Sequence, residues 1–99
     1  MKYIYIAEIP KYFSQEVLIK GWVFNFRSSG KIFFLQLRDG QGRLQAVVSQ
    51  DEVPADIWSI CQKLTMESSV EVTGQVREDK RSPGGYELQV SDLKLVHRA

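Results

Sequence analysis

The chain has 99 residues, of which 43% are hydrophobic and 25% charged, with thirteen Lys and Arg against twelve Asp and Glu. This length and composition suit a single globular domain spanning 1–99 with one core, and exclude a disordered, fibrous or membrane-embedded chain. A formal net charge of +1 argues against a protein held to duplex DNA mainly by neutralising phosphates, but is compatible with a domain that reads a few exposed bases through a local basic patch.

In chain order, "EVLIKGWVFNF" (16–26) is rich in β-branched and aromatic residues and reads as a first strand, with Gly21 where a bend can sit. A second strand is predicted over Lys31 to Arg38, where Phe33, Leu35 and Leu37 make an apolar stripe and Ile32, Phe34, Gln36 and Arg38 make the other. "DGQG" at Asp39 to Gly42 tolerates the positive φ of a hairpin turn. Arg43 to Ser49 returns as a third strand, with Leu44, Ala46 and Val48 on one side and Arg43, Gln45, Val47 and Ser49 on the other.

One helix follows. Pro54 suits its first position, Asp56 suits the positive end of the dipole, and Ile57, Ile60, Cys61 and Leu64 form one apolar stripe. "SVEVTGQV" (69–76) is a fourth strand with Val70, Val72 and Val76 inward, and "RSPGG" (81–85) is a turn or loop. "YELQVSDLKLV" (86–96) is a fifth strand, bulged near Ser91 and Asp92, where the apolar phase slips from Leu88 and Val90 to Leu93 and Leu95. Three strands, a helix and two strands is the order of an all-β OB-fold, a five-stranded Greek-key barrel that binds oligonucleotides across its second and third strands. The rival, an SH3-like barrel, normally lacks a helix of this length after the third strand.

Pairing the second and third strands through the Gly40–Gln41 turn sets Gln36 opposite Gln45, Arg38 opposite Arg43 and Phe34 opposite Val47, all on the face away from Leu35, Leu37, Leu44 and Ala46. The fifth strand adds Glu87 and Gln89, opposite in sense to Leu88 and Val90. An aromatic that stacks on a base, amides and a carboxylate that bond to base edges, and guanidinium groups for phosphate or carbonyl are the chemistry of a base reader. The competing reading is structural: Phe34 covers the sheet against an N-terminal segment holding Tyr3, Tyr5 and Tyr12.

"VLIKGWVFNFRSSGKIFFLQLRDGQGRLQAVV", "SSVEVTGQVRED" and "PGGYELQVSDLKLVHRA" together resemble the N-terminal anticodon-binding domain of class IIb aminoacyl-tRNA synthetases, the aspartyl, asparaginyl and lysyl enzymes. "RSSGKI-F-LQLRDG" and "REDKRSPGGYELQV" point within that family to the asparaginyl type, with an aspartyl parent as the nearest alternative. The resemblance implies an OB-fold that grips a tRNA anticodon loop (GUU or GUC). By position it implies that Phe34 stacks the central uridine, that Arg27 and Gln45 read its edge, and that Glu87 lies near the first anticodon base. Arg27 rests on the resemblance alone, because the phase of the first strand past Gly21 is not set by its pattern. The resemblance further implies a homodimeric, cytoplasmic parent that uses ATP and Mg²⁺ in a catalytic domain. The domain itself is then expected to be a monomer with no cofactor and no aminoacylation activity, either excised or free-standing, ending about where a hinge would begin. Two readings from other classes remain: an OB module binding single-stranded DNA without sequence preference, and a protein-interaction barrel.

Other motifs carry less. "GQGR" lacks the Gly-Lys-Ser/Thr ending and the strand-loop-helix setting of a phosphate loop. One cysteine and one histidine far apart suggest no metal site and no nucleophile–base pair, so no catalytic residue is assigned. Cys61 reads as an inert core thiol, His97 as a solvated or hinge residue, and Lys80–Arg81 as a solvated loop rather than a phosphate contact. No apolar run is long enough to span a membrane, and "MKYIYIAEIPKYF" is too short and interrupted for a secretory signal. A lone cysteine fits a reducing compartment.

Overall fold

The computed structural model describes residues 2–97; Met1, Arg98 and Ala99, and so the end of the "LVHRA" stretch, lie outside the described residues. Among the described residues there are six strands: β1 (Lys2–Tyr3), β2 (Glu16–Ser29), β3 (Ile32–Arg38), β4 (Arg43–Ser49), β5 (Ser69–Glu78) and β6 (Tyr86–His97). One α-helix, α1 (Ala55–Gln62), separates β4 from β5. The sheet order is β1-β2-β3-β4-β6-β5, and β2 also pairs with β5, so five strands close into a ring. This is the expected OB barrel, with β1 as an added parallel strand on β2 that the sequence pattern does not announce.

Closure depends on β2 serving two neighbours. Glu16 to Trp22 pair with β5, and Trp22 to Ser29 pair with β3. The strand therefore runs on to Ser29, beyond the Phe26 expected from composition, and passes from one neighbour to the other at Gly21–Trp22. A Cβ on Gly21 would collide with the carbonyl oxygen of Arg38, so only glycine permits this close crossing. Just past it, the register of β2 on β3 shifts between Val23 and Asn25, leaving Phe24 as an extra residue in a bulge. A second shift, in β5 on β6 between Thr73–Asp92 and Gly74–Val90, leaves Ser91 over, at the place where the phase slip in the sequence put it.

Period-two burial follows. Val17, Ile19, Val23, Phe33, Leu35, Leu37, Leu44, Ala46, Val48, Val70, Val72, Val76, Leu88 and Val90 fill the barrel. Both ends are stoppered. At one end α1 inserts Ile57 and Cys61, followed by Leu64 just beyond the helix, and lays Trp58 on Phe33 with ring centroids 4.8 Å apart. Pro54 precedes the helix rather than opening it, and its carbonyl accepts the N–H groups of Ile57 (3.1 Å) and Trp58 (3.2 Å). At the other end a 3-10 helical segment, Ile6–Tyr12, buries Ile6 and Ile9. It is latched by Asp39, whose Oδ2 accepts the Ile6 N–H at 2.7 Å while Oδ1 accepts those of Gln41 and Gly42 at 2.9 and 3.1 Å. One carboxylate thus shapes the β3–β4 turn and ties down the N-terminal plug.

No helix among the described residues is long and apolar enough to cross a membrane, and no group of three or more His, Cys, Asp or Glu is placed to hold a metal ion. Burial pushes the Cys61 thiol up to about 11. At pH 8 only about one folded molecule in a thousand then carries the reactive thiolate. Iodoacetamide is expected to leave the folded protein unlabelled over minutes and to label it readily in urea; equal labelling rates in both would show Cys61 accessible. Phe33→Ala, which empties part of the barrel against Trp58, is expected to lower stability by roughly 3–5 kcal/mol in a urea titration.

Candidate nucleic-acid interface

The register of β3 on β4 pairs Phe34 with Val47, Gln36 with Gln45 and Arg38 with Arg43, as alternation from the turn predicts. Phe34, Gln36, Gln45, Arg38 and Arg43 share the barrel's outer surface, because their neighbours Phe33, Leu35, Leu37, Leu44 and Ala46 are the ones in the core; Val47, on the same side of its strand, is buried at 6% exposure. Phe34 is half-buried and does not pack against the core cluster, whereas the adjacent Phe33 belongs to it. The N-terminal tyrosines do not cover it. Tyr3 lies against Tyr5, centroids 5.5 Å apart, and beneath the Lys20 ammonium, and Tyr12 lies near Lys2.

What touches Phe34 is Arg27. The bulge at Phe24 sets Arg27 directly across from Phe34, with the guanidinium carbon 4.0 Å from the ring centroid. Hollows open on both sides of this pair. One of about 190 Å³ is lined by Asn25, Phe26, Arg27, Phe34 and Gln36, and one of about 260 Å³ by Arg27, Phe34, Gln45, Asp79, Arg81 and Ser82. A third, of about 270 Å³ between Tyr3, Lys20, Trp22 and Val96, lies away from this face and lacks its converging amides.

Beside Phe34 the two glutamines are held in order. Gln36 Nε2 donates to Gln45 Oε1 at 2.8 Å, and Gln45 Nε2 donates to Ser82 Oγ at 3.3 Å. Each amide has two N–H donors and a two-lone-pair oxygen, so these bonds orient the pair without exhausting it. Ser82 itself is buried in the middle of the β5–β6 connection. That connection is pinned by Asp79, whose Oδ1 accepts the Arg81 N–H at 2.9 Å. This backbone hydrogen bond, with the Arg81 charge beside it, lowers the Asp79 carboxyl below the usual carboxylate range. The latch is therefore complete at pH values above the ordinary Asp range and is released only as pH falls through the depressed value.

Glu87, on β6, pairs with Gln45 of β4 on one side and Arg77 of β5 on the other, on the face the sequence assigns it, but only 9% exposed. Arg77 Nη2 donates to Glu87 Oε1 at 3.0 Å and also to Gln89 Oε1, while Gln89 Nε2 donates to Glu52 Oε2 at 2.6 Å. The carboxylate is thus an oriented, charge-paired acceptor at the edge of the face rather than a free exposed one. Arg38 and Arg43, opposite each other, have different partners: Arg38 makes an ion pair with Glu67 at 2.7 Å, and Arg43 lies over the ring of Phe24 at 5.2 Å.

A family profile described as OB-fold nucleic acid binding domain, of the tRNA anticodon type, matches residues 17–96. The chain belongs to this family. Among its relatives, asparagine–tRNA ligase of Pelotomaculum thermopropionicum is 48% identical over 99 residues, covering 100% of this chain and 23% of that protein. The Thermus thermophilus asparagine–tRNA ligase is 50% identical over 95 residues, 96% of this chain and 22% of that protein. The crystal structure of asparaginyl-tRNA synthetase from Pyrococcus horikoshii, complexed with asparaginyl-adenylate, matches with a TM-score of 0.90 at 37% identity, over 97% of this chain and 22% of that one. The chain spans less than a quarter of the length of the curated relatives it matches.

In this OB domain of the tRNA anticodon type, four contributors to the face escape a reading of single strands. Arg27 is placed by the bulge, Arg77 by facing Glu87, Ser82 by reaching back to Gln45, and Arg81 by rimming the hollow beside Phe34. Counting outward from the "RSPGG" turn would set Asp79 opposite Glu87; the longer connection sets Arg77 there instead. Arg38→Ala is expected to change stability by at most about 1 kcal/mol, since both partners of its ion pair are 48% exposed. Arg77→Ala should cost more, about 1–3 kcal/mol, by leaving the shielded Glu87 carboxylate without its cation. Adding Glu87→Gln should recover much of that loss in the same urea titration; no recovery would show that Arg77 acts otherwise.

Proposed function

We propose that this domain recognises the anticodon loop of a tRNA as part of an asparaginyl-type synthetase. The observation that carries the reading is Phe34: a large ring on the outer barrel face, off the core, with a guanidinium over it, ordered amides beside it and hollows on both flanks. An unpaired base has the same planar shape as the guanidinium and stacks on a ring at comparable distance. The loop is unstacked and its central uridine lies on Phe34. Arg27 swings from the ring to the base edge, Gln45 bonds that edge from the other side with Gln36 steadying it, and the Glu87 carboxylate, oriented by Arg77, lies toward the first anticodon base. Arg38 and Arg43 supply positive charge along the path of the backbone.

The asparaginyl assignment is supported by identities of 48% and 50% to asparagine–tRNA ligases, and by 37% to the Pyrococcus horikoshii asparaginyl enzyme against 28% to the aspartyl-tRNA synthetase from Entamoeba histolytica. In this reading ATP and Mg²⁺ serve amino-acid activation in the remainder of a cytoplasmic, homodimeric parent. The domain contributes binding alone, as a monomer when isolated.

A stem-loop with a GUU anticodon is expected to bind better than one with its central uridine replaced and better than a mixed single-stranded DNA, with affinity falling as salt rises. Phe34→Ala should weaken binding by about 1–3 kcal/mol, roughly five- to 150-fold, with little change in urea midpoint. Equal affinity for all three nucleic acids would point to a non-specific single-strand binder. Unchanged binding with a lowered midpoint in Phe34→Ala would make the ring structural.

A further inference from the structure

Phe24 repeats the arrangement at Phe34, and nothing in the recognition described above uses it. It is the extra residue of the β2 bulge, so it has no partner on β3 and its side chain is not committed to the alternation on either side. Like Phe34 it is half-buried and absent from the cluster of hydrophobics packed against the core, which does include Phe26 and Phe33. An arginine of the outer face, Arg43, lies over its ring from two strands away, as Arg27 lies over Phe34. The Gln36–Gln45 pair stands between the two aromatic–arginine pairs along β3 and β4.

We propose that Phe24 and Arg43 form a second stacking position, which takes the nucleotide next to the one on Phe34. This rests on the anticodon-loop reading and extends it from one stacked base to two. Phe24 lies at the level between Gln36 and Leu37, and Phe34 about two and a half residues further along β3. At ~3.3 Å per residue the two rings are roughly 8 Å apart along the strand. That is more than twice the ~3.4 Å rise between stacked bases, so two adjacent bases occupying both rings are parted from each other, as in single-stranded recognition by splayed bases. Arg43, displaced from the ring by the incoming base, remains beside that nucleotide's phosphate, where its charge is of use. Because any base has a stacking face, this position adds affinity and register without reading identity.

The test uses the GUU stem-loop and two abasic versions, lacking the base on the 5′ or the 3′ side of the central uridine. With the wild-type chain, one flanking abasic loop is expected to bind roughly five- to 150-fold more weakly than the intact loop, the range for one lost base–aromatic stack. Phe24→Leu should show a loss of that size for the intact loop and no further loss for that abasic loop, while Phe24→Tyr binds like wild type. If neither flanking base matters to the wild-type chain while the central one does, the second position is absent, and no variant is needed to show it. Losses from Phe24→Leu that add in full to both abasic losses overturn it as well. Should the central base and Phe34→Ala also prove immaterial, the anticodon reading itself falls, a result separable from failure of this inference alone.

Discussion

Barrel closure through a single strand is the constraint on which the rest of the molecule depends. β2 hydrogen-bonds β5 along its first half and β3 along its second, and the change of neighbour at Gly21–Trp22 requires two backbones to meet where no side chain fits. A strand that must coil this sharply accommodates the curvature by a bulge, and the bulge falls at Phe24. That local solution sets the phase of everything after it. Phe26 turns to the core, while Asn25 and Arg27 turn outward beside Gln36 and Phe34. The candidate binding face is thus a consequence of how the barrel closes, not an addition to it.

Two stoppers keep the barrel dry, and they are built differently. α1 brings an amphipathic stripe and an aromatic lid, so its contribution is mainly apolar area. The N-terminal plug depends instead on one carboxylate: Asp39 accepts three backbone N–H groups, two in its own turn and one from Ile6. The plug and the β3–β4 turn are therefore coupled, although some thirty residues separate them in sequence. Both lie at the end of the barrel remote from Phe34, which leaves the face around that ring clear.

The face itself combines rigidity with replaceable partners. Gln36, Gln45 and Ser82 form one chain of hydrogen bonds, and Arg77, Glu87, Gln89 and Glu52 form another. Such networks hold side chains in one geometry before a ligand arrives, which lowers the ordering cost of binding. Over the two rings, by contrast, lie arginines whose contacts are few and solvent-exposed. A guanidinium can leave an aromatic face for about the energy of an exposed cation–π contact, ~0.5–1 kcal/mol, so exchanging it for a base is a small step.

Alternation and turn chemistry in the sequence determined the strand order, the single helix, the β6 bulge and the pairing of β3 with β4, because a slip of one residue would part the two apolar stripes and the Gly40–Gln41 turn fixes the remaining freedom. That was enough to turn Phe34, Gln36, Gln45, Arg38, Arg43 and Glu87 outward, and the family resemblance added Arg27. Tertiary structure alone decided that Arg27 lies over Phe34, that Phe24 stands outside the core and that Glu87 is shielded by Arg77. It also added β1 and joined the N-terminal plug to Asp39 through Ile6. The reason is common to all of these. A bulge shifts the phase of a strand without altering its composition, and contacts between residues far apart in the chain exist only once the barrel is closed. A local pattern can state which side of a strand a residue takes, but the neighbour it meets there is set by closure.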